Sequence, residues 1–295
     1  MELLIEEITG QAFGEFMRQE VLIPLGMDHS TFIWNKKFDP EVPVGYDLSG
    51  KPVSVYVYPE KASGGLFATV EDIATFTIAG MKDIPHDKQV LSPNAIEALY
   101  TPVCKEIGIY SLVFDGYGLG HYIETLPNGK QAISHGGQGT GIMTHFQAIP
   151  ETGDAIVILT NSQRSWPFIS YLLRDWARWQ GFESIGMGRI IWAKYALWAV
   201  IALIWSAVIL QALKITTWVM KRKRKEILKA KRSKLFTIAQ TVVAIIIIIG
   251  LVWCLNQKYL FLSSVFPIAS LWLGISAFVM SISLLLSSCF YLLQN

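Results

Sequence analysis

The chain has 295 residues, 52% of them apolar, and a mean hydropathy of +0.39, more than a soluble globular chain needs and a pointer to membrane segments. Its net charge of +2 conceals a split: residues 1–189 carry 13 Lys/Arg against 22 Asp/Glu, and residues 190–295 carry 12 basic residues against one acidic. The sequence therefore reads as two physical objects meeting near Gly186-Met187-Gly188, and its three cysteines exclude a disulfide framework and any metal-ligand spacing, Cys104 being alone and Cys254 and Cys289 lying in apolar runs.

No signal peptide is expected at the start, because Glu2, Glu6 and Glu7 interrupt any apolar stretch. Leu3 to Glu20 has apolar residues at helical spacing (Leu4, Ile5, Ile8, Phe13, Phe16, Met17) with a turn at Thr9-Gly10, and Pro24-Leu-Gly-Met27 is a second turn. Pro40 to Pro59 reads as loop with short extended pieces. In "ASGGLFATVEDIATF" a glycine turn precedes a helix, and Thr69 with Asp72 fits a capping box. Ser92-Pro93 caps another short helix ending near Tyr100. The period then changes to two: Tyr117–Thr125, Gln131–His135, Gly141–Ile149 and Ala155–Asn161 are strand-like, with hairpin turns at Pro127-Asn-Gly129 and Glu151-Thr-Gly153. Pro167 to Gln180 closes this half as an amphipathic helix. Helices followed by an antiparallel meander indicate an α+β domain.

Three uncharged runs follow. Tyr195–Leu213 is long enough to cross a bilayer core at about 1.5 Å per residue. Leu235–Leu255 is the second. Tyr259–Leu293 is too long for one perpendicular helix, and Pro267 separates an interfacial segment from a span. The spans are expected at about 195–215, 235–255 and 268–292. The loop 221–234 holds nine basic residues beside Glu226, which predicts a cytoplasmic loop, residues 1–189 outside the cell and a cytoplasmic C-terminus. Trp192, Trp198, Trp253 and Tyr259 fall near the expected interfaces. Because spans flank the basic run, it is read as a membrane feature, and no nucleic acid is expected as a partner.

The stretch Ile133-Ser-His-Gly-Gly-Gln-Gly-Thr-Gly141 carries the chemistry. It is not a phosphate loop: no Lys-Ser/Thr follows the glycines, and a strand follows rather than a helix N-terminus. Gly116-Tyr-Gly-Leu-Gly120 is a similar decoy. The stretch fits the edge of a substrate cleft, where Gly136 and Gly137 admit a ligand backbone close to the strand. There the Gln138 amide donates to a developing oxyanion, and His135 adds a hydrogen bond or a positive charge. His145, on the next strand, is read as structural or surface. His29, His86 and His121 show no ligand spacing. The Trp166, Trp176 and Trp179 group packs its helix or touches lipid.

Four segments in order, "ITGQAFGEFMRQEVLIPLGMDHSTF", "ASGGLFATVEDIATF", "YGLGHYI" and "SHGGQGTGIMTHFQAIPETGDAIVILTN", resemble the serine β-lactamase and penicillin-binding-protein superfamily, in its class C-like branch of esterases and D-amino-acid peptidases. The likeness runs from Met1 to about Gln180 and implies a partial β-lactamase/transpeptidase-like domain over residues 1–182, followed by a membrane domain over 190–295. It implies no cofactor. It also implies three motifs: Ser-x-x-Lys with the nucleophile, Tyr-x-Asn or Ser-x-Asn for proton transfer, and Lys-Thr-Gly or His-x-Gly on the cleft strand. His135-Gly136-Gly137 matches the third, and Gln138 falls where the second oxyanion donor stands.

Neither Ser-x-x-Lys nor Tyr-x-Asn occurs in the 295 residues, and Ser92-Pro-Asn94 opens a helix and reads as its cap. The expectation is that the chain begins just downstream of the first two motifs, that its meander has an open edge, and that alone it is inactive. As part of a longer enzyme it implies acyl transfer through a seryl ester, on small D-amino-acid peptides, β-lactams or esters. The alternative is a non-catalytic, membrane-tethered module that binds cell-wall fragments or acts as a sensor. The bilayer is a partner in both readings, and the sequence does not fix the oligomeric state.

Overall fold

The computed structural model describes residues 1–38, 42–81, 90–223, 234–257 and 260–292. Two compact units divide it, Met1–Ile191 and Trp192–Asn295.

The first unit begins with short helices. α1 (Glu2–Thr9) stops at Gly10, whose φ of 68° only glycine adopts without strain. α2 (Phe13–Met17), a π-helical turn (Arg18–Leu22) and α3 (Ile23–Leu25) follow, ending on Gly26 at φ 75°. Both turns fall where they were expected, but the chain between them winds through a π turn that the apolar spacing does not announce. The proline-rich stretch contains a hairpin of two-residue strands, β1 (Gly45–Tyr46) and β2 (Pro52–Val53). α4 (Lys61–Gly64) and α5 (Val70–Ile78) come next. Thr69 Oγ1 accepts from the Asp72 amide at 3.2 Å. The Asp72 carboxylate, however, accepts from the His29 amide at 2.9 Å and the Ser30 hydroxyl at 2.7 Å. One half of the capping box has been redirected into a tertiary contact. α6 (Pro93–Tyr100) is capped by Ser92 Oγ, which accepts from the Ala95 amide.

The meander has five strands in the described residues. Tyr117–Thr125, expected as one strand, is β3 (Gly116–Tyr117) and β4 (Tyr122–Thr125), with Gly120 at φ 88° between them. β5 (Gln131–Gly139), β6 (Ile142–Ile149) and β7 (Asp154–Thr160) complete an antiparallel sheet in the order β3-β4-β5-β6-β7. β3 and β7 are therefore its edges. α7 (Trp166–Trp179) covers one face. Ala132, Met143, Ile149 and Ile158 from the sheet and Ile169, Leu173, Trp176 and Ala177 from α7 form that core. On the opposite face Ile133 and Ala148 pack with Met81, Tyr100, Phe146 and Ala155. This two-sided burial is what period-two alternation specifies.

Past the 3₁₀ turn Gly186–Gly188, the chain continues as α8 (Arg189–Lys223), α9 (Lys234–Leu255), α10 (Phe261–Val265) and α11 (Pro267–Leu292). Among the described residues, three helices are long and apolar enough to cross a membrane: Gly186–Thr217, Lys234–Leu255 and Pro267–Cys289. Leu203, Leu210, Ile246, Ile249 and Leu271 are exposed on them. Pro267 starts α11, so the short α10 is the segment expected before the third span. Buried serines satisfy their hydroxyls on the preceding turn, as Ser276 does on the Trp272 carbonyl at 2.6 Å. Gln211 Nε2 donates to the Ser283 carbonyl at 3.2 Å, tying α8 to α11. Most of the basic loop, 224–233, lies outside the described residues.

Candidate active site

The glycine-rich stretch is a strand. β5 runs through His135, Gly136, Gly137 and Gln138 to Gly139, although glycine is a poor strand former, because every one of these residues pairs with β6. β4 pairs only as far as Tyr122↔Ser134. Residues 135–139 are thus laddered by β6 on one side, with no described strand on the other. In an antiparallel pair alternate residues aim their N–H and C=O groups to opposite sides. This part of β5 accordingly has backbone groups directed away from β6.

Register decides which way each side chain goes. His135 and Gly137 share the face of Ile133, and Gly136 and Gln138 share the α7 face with Ala132. The His135 imidazole is half-buried and stacks on Tyr122, with ring centroids 6.0 Å apart and planes 20° apart, and Tyr117 stands 6.3 Å away. Burial holds its pKa below the usual histidine range.

The two glycines are small for packing reasons on opposite faces. A Cβ on Gly136 would lie 3.3 Å from both His145 Nδ1 and the Trp166 ring, and one on Gly137 would lie 2.5 Å from Thr144 Oγ1. Gln138 is exposed. At the end of the strand, Tyr58 reaches both glycine segments: its hydroxyl is 3.3 Å from where a Gly139 Cβ would be, and its ring 3.8 Å from a Gly64 Cβ. Gly64 and Gly65, expected as a glycine turn, end and cap α4.

His145, expected to be structural or surface, is structural, and two tyrosines beside the site were missed from sequence. His145 is fully buried behind Gly136, 6.5 Å from Trp166 between ring centroids, and burial pushes its pKa down to about 4. Neither of its nitrogens has a hydrogen-bond partner, and the buried Gln147 amide lies beside it without bonding geometry. Its position on β6, two residues from Gln147 on the same face, was the available signal. Tyr117 and Tyr122 flank the glycine turn that only resembles a phosphate loop, and no local pattern links them to His135. His121 is buried with Nδ1 3.2 Å from the Leu119 carbonyl, and His29 is 3.9 Å from Asp72. His86 lies outside the described residues. No group of His, Cys, Asp and Glu among the described residues could hold a metal. Trp166 and Trp176 pack in the core, whereas Trp179 is 81% exposed.

A family model described as Beta-lactamase matches residues 1–174. The chain belongs to the β-lactamase family. Within this family it is similar to Penicillin-binding protein 4 of Amycolatopsis lactamdurans, 23% identical over 181 residues, which cover 58% of this chain and 47% of that protein. It is also similar to two solved structures. An octameric penicillin-binding protein homologue from Pyrococcus abyssi has 27% identity and a TM-score of 0.47, over 55% of this chain and 36% of that one. A class C β-lactamase has 18% identity and a TM-score of 0.45, over 55% and 49%. The chain spans less than half the length of the curated β-lactamase-family relative.

Proposed function

We propose that residues 1–182 form one wall of an extracytoplasmic serine-hydrolase cleft, tethered to a bacterial cell membrane by spans near 195–215, 235–255 and 268–292. His135 is its strand-borne hydrogen-bonding group. Gly136, Gly137 and the Gln138 amide form the substrate-binding and oxyanion edge. The reaction is acyl transfer to a serine followed by hydrolysis, on small D-amino-acid peptides, β-lactams or esters. The nucleophile and its activating lysine come from polypeptide outside these 295 residues, so this chain alone does not turn substrate over. The observation that supports the reading is β5 itself, where pairing with β4 stops at Ser134 while pairing with β6 continues through His135 to Gly139.

The test is acylation by a fluorescent penicillin. This chain should remain unlabelled and should not hydrolyse a chromogenic β-lactam or ester. A longer product that includes Ser-x-x-Lys should label, and His135→Ala should slow that labelling. Steady turnover by the present chain would overturn the assignment of its inactivity, and a longer product that neither labels nor hydrolyses would overturn the enzyme reading. The absence of Ser-x-x-Lys from these residues favours a second reading, a non-catalytic tethered module that binds cell-wall fragments. The topology, with residues 1–189 outside and the 221–234 loop inside, is tested at exposed Cys104. A membrane-impermeant maleimide should label intact cells, and Cys104→Ser should remove the label. Labelling only after permeabilisation would overturn it.

A further inference from the structure

We propose that the outer face of α7 lies on the bilayer surface, with Phe168, Leu172 and Trp179 set among the phospholipid headgroups and Arg174 and Arg178 beside them. The inference rests on the membrane anchoring proposed above. α7 has one apolar stripe more than the sheet uses. Ile169, Leu173, Trp176 and Ala177 are buried in the core beneath it, whereas Phe168, Leu172 and Trp179 are 54%, 36% and 81% exposed. At about 3.6 residues per turn these three lie within about 40° of one another around the helix, so they form one ridge rather than scattered exposures. Arg174 and Arg178 stand together on the other flank of the outer face, with Tyr171 and Asp175 between. The Arg174 guanidinium lies over the Tyr171 ring, 4.9 Å from its centroid, and pairs with Asp175 at 2.7 Å. Arg178 is exposed and takes part in no ion pair among the described residues.

Charge and continuity select the occupant. Residues 1–163 carry 9 Lys/Arg against 20 Asp/Glu, a net of −11, while residues 164–189 carry four arginines against Asp175 and Glu183, a net of +2. Most of the first unit is therefore repelled by an anionic lipid surface, and the segment that holds α7 is its exception. An apolar and aromatic ridge flanked by arginines is the make-up of a helix lying in the interfacial plane, its rings at headgroup level and its guanidiniums on the phosphates. The first helix able to cross a membrane begins at Gly186, seven positions after Trp179. It does not hang from a loose tether: Phe182, Ile185 and Met187 are buried in the same core as α7, and Ile190 packs against it. The point of entry is thus fixed to the body that carries the ridge, and docking adds contact without the ordering cost of a flexible linker.

Fluorine NMR of the full chain tests this, with fluorotryptophan incorporated and one copy per nanodisc of phosphatidylcholine and phosphatidylglycerol. The lines of Trp179 and Trp198 are assigned by their loss in Trp179→Phe and Trp198→Phe, both at side chains that are exposed. A nitroxide near the top of the lipid acyl chain should broaden the Trp179 line, and an aqueous gadolinium chelate should leave it sharp. The double variant Phe168→Ser/Leu172→Ser should reverse both responses, because it removes the rest of the ridge. Trp198, inside the first span, reports the anchoring separately. If the nitroxide broadens Trp198 while only the chelate reaches Trp179, the docking is overturned and the anchoring stands. If neither reagent reaches Trp179, polypeptide covers the ridge and the docking is again overturned. A Trp198 line that the nitroxide leaves sharp would overturn the anchoring and the docking together.

Discussion

Gly137→Ala isolates the packing that keeps the β5 edge narrow. An added Cβ would sit 2.5 Å from Thr144 Oγ1, a separation that real Cβ contacts do not show. Thr144 must turn, and its β-branched side chain has few rotamers to turn to. The rotation also breaks the hydrogen bond that Thr144 Oγ1 accepts from the Gly137 amide at 3.2 Å. Overpacking of this kind costs about 1–3 kcal/mol. Alanine returns about 0.4–1 kcal/mol by restricting the unfolded chain. The net loss is about 1–2 kcal/mol, a fall of about 2–8 °C in Tm for a unit of this size. Near-UV circular dichroism of the full chain in nanodiscs measures it. Thr144→Ala removes the obstructing oxygen, so Gly137→Ala in that background should cost a few tenths of a kcal/mol at most. An equal loss in both backgrounds would show that Thr144 is not the reason for glycine, and the argument from close approach would fail.

Other substitutions read different parts of the first unit. Leu173→Ala, at a side chain with no exposure between α7 and the sheet, should cost about 2–5 kcal/mol in the same melt. Asp72→Ala strands the His29 amide and the Ser30 hydroxyl and should cost about 2–4 kcal/mol, whereas Thr69→Ala, a loss of the cap alone, should cost about 1 kcal/mol. His145 is kept neutral by burial, with a folded pKa of about 4 against 6.5. The unfolded chain therefore takes up a proton that the fold refuses as pH falls through that window. The stability lost is about 3 kcal/mol and is fully present above 6.5. His145→Leu should flatten the acid limb of a Tm–pH profile between pH 6.5 and 4, and an unchanged limb would show that His145 is not its source.

The meander was legible because alternation is local: apolar residues at every second position name a buried face wherever the strand ends up. Its divisions were not. Gly116 to Gly120 interrupts a run that alternation alone treats as continuous, and β5 extends through four residues whose strand character comes from β6 rather than from propensity. Asp72 was read correctly as a first-turn residue, but its carboxylate serves a loop 42 and 43 positions earlier, which no short-range pattern encodes. The site divided in the same way. His135 to Gln138 stood out by order and spacing, while the tyrosines beside His135 and the histidine buried behind Gly136 owe their places to pairing across strands.

The β1–β2 hairpin is closed from a distance. The Tyr46 amide donates to the carbonyls of both Gly141 and Asn161, Asn161 Nδ2 to the Val44 carbonyl 117 residues away, and Arg164 Nε to the Leu48 carbonyl 116 residues away. Gly45 and Gly141 cross so closely that a Cβ on either would meet the other's backbone within 3.0 Å. A two-stranded ribbon this short has little stability by itself, and contacts at such separation close late because of the loop entropy they must overcome. During synthesis, residues 42–53 therefore leave the ribosome roughly a hundred residues ahead of the chain that fixes them. The region most exposed to misfolding or proteolysis in a nascent chain is then this hairpin, and it becomes secure only when the last strand of the sheet has been made.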